Sequence, residues 1–106
     1  NGVQVRHTLR SGRMVRHVGH VVVIGDVNPG ATIIAGGDVL VWGRLLGTVH
    51  AGANGDEGAV VCALDLRPMQ LRIARCIAIS PEHQPRRPNP EIASVRDGQI
   101  VAEEWH

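Results

Sequence analysis

Val21, Val27, Ile33, Val39 and Leu45 stand six residues apart, and Ala51 continues the series. The gaps hold glycines and short polar residues, in groups such as Gly25-Asp26, Asn28-Pro29-Gly30, Gly36-Gly37-Asp38 and Asn54-Gly55-Asp56. Neither a helix nor a flat strand repeats every six residues. A chain that turns a corner after each short strand does. Such a chain winds into a β-solenoid, in which like residues stack above like from coil to coil. Each coil is too thin to bury its own apolar side chains and relies on the coils above and below. The small residues belong at the corners, where Gly supplies positive φ and Asn or Asp bonds its own backbone.

Composition agrees. The chain has 106 residues, the size of one domain, and is 43% hydrophobic but only 2% aromatic, with no Phe or Tyr. Its core must be built from Val, Ile, Leu and Ala, which suit a pleated surface. Thirteen Gly and six Pro imply many turns and few long helices. A net charge of +1 gives no field that points to nucleic acid or an anionic membrane as partner. No apolar run approaches the ~20 residues of a membrane span, and no signal-peptide pattern opens the chain. The start at Asn1 rather than Met reads as a piece of a longer chain, with an N-terminal domain outside it.

Along the chain, Val3-Gln4-Val5-Arg6 alternates like a half-buried strand, and Ser11-Gly12 reads as a turn between two short strands. "HVVVIGDV" reads as a buried run. "VVCALDLRPMQLRIARCIAI" returns to alternation, with Pro68 shifting the phase, and reads as a pair of longer strands with one wet face. Residues 80–90, "SPEHQPRRPNP", form a Pro-rich loop that cannot continue a sheet. Asp97-Gly98, flanked by apolar residues, is a two-residue hairpin signal.

The spacing of six also invites the left-handed hexapeptide β-helix of many acyltransferases. There the residue after the aliphatic one is usually small or polar. Here Val22, Ile34, Leu40 and Leu46 are large and apolar, so the match is poor. A self-assembling, bactofilin-like structural β-helix has a compatible composition.

A more specific resemblance is carried by "LRSGR", "GDVNPGA", "IAGGDVLVWGRLLGTVHAGANGD", "ALDLRPMQLRIA", "IAISPE" and "IASVRDGQIVAE". In this order and spacing they resemble the C-terminal domain of the septum site-determining protein MinC over nearly the whole chain, residues 1–106. The resemblance implies an all-β fold, a short right-handed β-helix of roughly triangular section with a C-terminal strand pair. It also implies a bacterial division regulator without catalytic activity or cofactor. Its partners would be a second copy of itself, the ATPase MinD in its ATP-bound state, and FtsZ. The membrane would be reached only indirectly, through MinD.

The family's MinD-binding motif Arg-Ser-Gly-Gln falls on Arg10, Ser11, Gly12 and Arg13, the last departing from the usual Gln. Arg10 offers five donors for carboxylates or carbonyls, and Gly12 allows the turn. Arg16 lies nearby and extends the basic edge. Trp42, in a repeat of aliphatic residues, is a candidate interface anchor. Leu64, Leu66, Met69, Leu71 and Ile73, in the alternating run from Leu64 to Ile79, are candidates for an apolar dimer face together with the final hairpin.

Other residues point elsewhere. Asp26, Asp38 and Asp56 each follow Gly, but their unequal spacing indicates corner turns rather than a calcium repeat. The six His show no ligand spacing, so no metal is assigned, and His50 reads as structural or solvent-facing. Cys62 and Cys76 read as buried thiols.

Overall fold

Every coil of the molecule rests its inward side chains on those of the next. The computed structural model describes residues 1–79 and 89–105. Most of the Pro-rich loop expected over 80–90 therefore lies outside the described residues. Eleven strands run in order: β1 (Gly2–Val5), β2 (Met14–His17), β3 (His20–Ile24), β4 (Thr32–Ala35), β5 (Val39–Leu45), β6 (Thr48–Ala51), β7 (Val61–Leu66), β8 (Gln70–Ile73), β9 (Cys76–Ile79), β10 (Glu91–Arg96) and β11 (Gln99–Glu104). They form a first sheet, β1-β3-β5-β7-β10-β11, and a second, β2-β4-β6-β8-β9. Parallel bridges from Leu9 to Val27 and from Val27 to Leu45 make a third side. The result is a β-solenoid of about four turns.

The repeat of six is three sides per coil. Val3, Val21, Val39 and Val61 stack in the first sheet. Val15, Ile33, Val49 and Leu71 stack in the second. Leu9, Val27 and Leu45 stack on the third side, and Leu45 pairs with Leu66. The series seen from Val21 onward thus begins at Val3. Val21, Val27, Ile33, Val39, Leu45 and Ala51 are all fully buried.

Ala51 departs from the expected stack. Val49, not Ala51, pairs with Ile33, because the corner before β6 is two residues shorter than the one above it; Ala51 pairs with Ile73 instead. The run "HVVVIGDV" is not buried throughout. Val21 and Val23 face inward, while Val22 is half-buried and Ile24 is 39% exposed, because the solenoid wall is one strand thick. The expected pair of longer strands is three strands. β7 and β8 lie on different sheets around the Pro68 corner, and β8 returns as β9 through Ala74-Arg75, with Ala74 at φ 55°.

Antiparallel strands end both sheets, β9 on the second and β10–β11 on the first. Asp97 (φ 51°) and Gly98 (φ 77°) both take positive φ, as a type I′ hairpin requires. Cys62 is buried, and burial pushes its thiol pKa up. Cys76 is only partly buried and donates from Sγ to the Gly98 carbonyl at 3.4 Å.

The Gly-Asp pairs explain the corners. Asp26 Oδ1 accepts the Arg44 N–H at 2.8 Å, and the Asp26 N–H donates to Thr8 Oγ1 at 3.3 Å. At the other end of the first sheet, His20 Nδ1 accepts the Asp38 N–H at 2.8 Å and Asp38 Oδ1 accepts the Val60 N–H at 2.9 Å. Each side chain thus caps the backbone one coil on. Asp56 Oδ1 accepts the Gly58 N–H within its own turn. Arg44 Nη2 also donates to Asp26 Oδ2 at 2.9 Å, and hydrogen bonds from Arg44 hold the Asp26 carboxyl pKa below its ordinary value. Asp65, nearly buried, accepts a two-pronged hydrogen bond from Arg67 at 2.9 and 2.6 Å.

Two outcomes follow from this packing. Leu45→Ala should lower unfolding free energy by about 2–5 kcal/mol, and Leu46→Ala, one residue on and half-buried, by about 1 kcal/mol, measured by urea titration. Equal losses would put the inward phase in the wrong place. Because folding depresses the Asp26 pKa, its contribution is present above about pH 4 and fades as pH falls through the lower folded value. The stability gap between the wild type and Arg44→Gln should therefore be largest near neutral pH and close in acid. A gap independent of pH would contradict the ion pair.

Candidate partner-binding surface

Arg10-Ser11-Gly12-Arg13 forms the corner between the third side and the second sheet. The Arg13 N–H donates to the Arg10 carbonyl at 3.0 Å, and Gly12 at position three of the turn has φ 88°. This is a type II turn, which demands a residue that tolerates positive φ at that position. A Cβ on Gly12 would meet nothing within 4 Å, so conformation alone selects glycine inside this chain, and the space above the turn is open.

The turn sits on a second one. Asn28-Pro29-Gly30-Ala31 closes with an Ala31 N–H to Asn28 carbonyl bond at 3.0 Å, with Gly30 at φ 89° and Pro at the preferred second position. The Gly12 N–H donates to the Gly30 carbonyl at 3.0 Å, and Ser11 lies directly over Gly30. A Cβ at Gly30 would meet Ser11 Oγ at 2.3 Å and Ser11 Cβ at 3.1 Å. The Leu9 and Arg13 carbonyls accept from the Asn28 and Thr32 N–H groups. The corner is therefore fixed by its backbone, leaving its side chains to solvent.

All four corner residues are exposed. Arg10 and Arg13 make no ion pair with the described residues, in contrast to Arg44, Arg67 and Arg96. Arg16, on β2, is likewise exposed and unpaired. The bonds that Arg13 makes are backbone bonds, so Arg in place of the family's Gln leaves the turn unchanged.

The apolar candidates divide. Leu66, Leu71 and Ile73 are buried in this chain's own core and unavailable to a dimer face, because the β7–β8 corner turns them inward. Met69 is 60% exposed at that corner, and Leu64 is half-buried on the outside of the first sheet. Trp42 is 55% exposed on the same outer face, next to Ile24 in register. Val22, Leu40, Cys62 and Ile92 form an adjacent outward row. Apart from Trp42, Leu64 and Ile92 of the final hairpin, the sequence reading does not include this apolar face. Its signal was the large residue after each stacked aliphatic, Val22 after Val21 and Leu40 after Val39. His50 is structural: its Nε2–H donates to the Ala74 carbonyl at 3.0 Å.

With an open turn at one corner and an apolar sheet face on one side, the chain belongs to the class of all-β solenoid domains. Residues 3–105 match the family described as "Septum formation inhibitor MinC, C-terminal domain", and the chain belongs to that family. It is 52% identical over 103 residues to the "Probable septum site-determining protein MinC" of Heliobacterium modesticaldum, covering 96% of this chain and 36% of that protein. It is 54% identical over 93 residues to the protein of that name from Gloeobacter violaceus, covering 88% and 34%. The chain thus spans about a third of the length of these curated relatives. Among solved structures, a chain of the MinC:MinD cell division protein complex of Aquifex aeolicus superposes with a TM-score of 0.94 at 37% identity, covering 99% of this chain and 87% of that one. Family membership selects the septum-inhibitor reading over the acyltransferase and the bactofilin-like filament.

Gly30→Ala tests the stacked turns. The left-handed backbone alone costs about 1–2 kcal/mol, and the new methyl should push Ser11 off its seat. Amide NMR shifts should change at residues 10–13; changes confined to residues 29–31 would mean the two turns are independent.

Proposed function

We propose that this chain is the MinD-binding and dimerising domain of a division inhibitor, acting by binding alone. The observation that carries it is the exposed, backbone-locked turn Arg10-Ser11-Gly12, on the residues of the family's MinD-binding motif, in a chain whose fold is that of a partner in a MinC:MinD complex. Arg10 supplies a charge-assisted contact to a carboxylate or carbonyl of MinD, and the open space above Gly12 admits close approach. MinD in its ATP-bound state carries the domain to the inner face of the membrane. There a linked FtsZ-antagonist domain acts, with FtsZ the target of both. The chain itself is cytoplasmic.

Dimerisation uses the outer face of the first sheet. Trp42, Ile24, Val22, Leu40 and Ile92 present contiguous apolar surface with an aromatic anchor, the composition of an interface centre. The final hairpin extends this sheet. The face and the turn lie on different sides of the solenoid, so a dimer leaves both turns free.

Titration against MinD with ATP and with ADP, combined with sedimentation, tests both halves. Arg10→Ala should weaken ATP-dependent binding by about 2–5 kcal/mol, and Gly12→Asp by more, with both variants dimeric. Trp42→Asp should yield a folded monomer that retains the turn. Undiminished binding by both turn variants would move the MinD site elsewhere, and a dimeric Trp42→Asp would move the dimer face.

A further inference from the structure

The second sheet carries a row of outward residues that neither the proposed turn contact nor the proposed dimer face includes. Arg16, Ile34, His50, Arg72 and Ile77 stand in register across β2, β4, β6, β8 and β9. Met14, beside Arg16, is 61% exposed, and Ile77 at the far end is 55% exposed. The five strands read MVRH, TIIA, TVHA, QLRI and CIAI, without a single carboxylate. Asp26, Asp38 and Asp65 sit at the corners and on β7, each already bonded. A chain of net charge +1 therefore presents one face whose only charged side chains are arginines, set among apolar and neutral polar residues.

The charges on this face are unspent. Arg16 makes no ion pair with the described residues. Arg72 Nε is buried against the sheet without a hydrogen-bond partner. The strip is continuous with Arg13 and Arg10, since β2 begins at the residue after the turn. All eleven cations of the chain are arginine. The guanidinium is weakly hydrated and grips carboxylates with two prongs, which suits a contact that excludes water. Arg16 and Arg72 lie three strand spacings apart, about 14 Å, with apolar and neutral polar residues around them, no Phe, Tyr or Trp on these strands to stack a base, and the His50 ring tied to the Ala74 carbonyl. Such sparse charge fits the scattered carboxylates of a protein surface and not a phosphate backbone with its dense charge.

We infer that the outer face of the second sheet docks an acidic, partly apolar protein surface and so extends the contact at the Arg10–Arg13 corner into a broad interface. This rests on the proposed binding of MinD at that corner, and the occupant is the surface of MinD beside the turn contact. Arg16 and Arg72 meet its carboxylates, while Met14, Ile34 and Ile77 cover apolar side chains between them.

The test uses the dimeric chain and MinD from the same organism with ATP, across NaCl from about 50 to 300 mM. Arg16→Glu and Arg72→Glu should each weaken binding about tenfold or more at low salt, since like charges would then face each other. Arg16→Gln and Arg72→Gln should weaken it less and flatten its salt dependence. These neutral variants keep the result interpretable if a reversal disturbs folding, which circular dichroism and sedimentation would reveal. Wild-type binding by all four, with Arg10→Ala defective, would overturn the sheet contact while leaving the corner as the MinD site. Wild-type binding by all four and by Arg10→Ala would overturn both. Capture of the chain alone by phosphatidylglycerol vesicles, lost in Arg16→Glu while MinD binding is unchanged, would also overturn the assignment, in favour of a lipid surface.

Discussion

The structure depends on one constraint, that each inward side chain rests on its counterpart one coil away, 18 residues on in the first coils and 16 to 22 in the later ones. The hydrogen bonds at the corners obey the first of these intervals, from Thr8 to Asp26 to Arg44 and from His20 to Asp38. Because stacking aligns equivalent residues, a wall one strand thick is enough to enclose a core of Val, Ile, Leu and Ala without aromatic bulk. The cost of this economy is surface: half of every strand faces outward. What stands there is free to be chosen for binding, and the corners become rigid mounts for exposed turns.

Those outward positions divide the surface by chemistry. The first sheet presents Trp42 among aliphatic residues, an apolar face suited to a twofold contact. The second sheet presents arginines without carboxylates. The corner between the third side and the second sheet holds a type II turn whose backbone is tied to the turn beneath it and whose side chains are exposed. Fixing the turn from beneath, through Gly30, limits the ordering that binding must impose, which favours affinity.

Much of this was legible in the residues. The interval of six identified a solenoid, and the Gly-Asp pairs marked its corners. Asp97-Gly98 marked the final hairpin. What failed was phase after the repeat loosened. Leu46-Gly47 gives no sign that its corner is two residues short, so Ala51 was placed where Val49 belongs. Ala74-Arg75 lacks turn chemistry, yet Ala74 adopts φ 55° because β9 must return beside β8. Leu66, Leu71 and Ile73 resemble an outer face in the sequence but fill the core, because the chain turns from the first sheet to the second at the β7–β8 corner. The turn at Ser11-Gly12 was visible as a turn; its role came from resemblance. Its supporting turn could have been found from the interval alone, since Gly12 and Gly30 are one coil apart.

In the proposed arrangement a partner docks on the Arg10–Arg13 corner while the first sheet joins two copies. Hydrogen–deuterium exchange on the dimer, with and without MinD and ATP, reads both surfaces at once. Exchange should slow in peptides spanning residues 8–17 on addition of MinD, with no change across residues 39–45, which the proposed dimer already covers. Slowed exchange across residues 39–45 with residues 8–17 unaffected would contradict this arrangement.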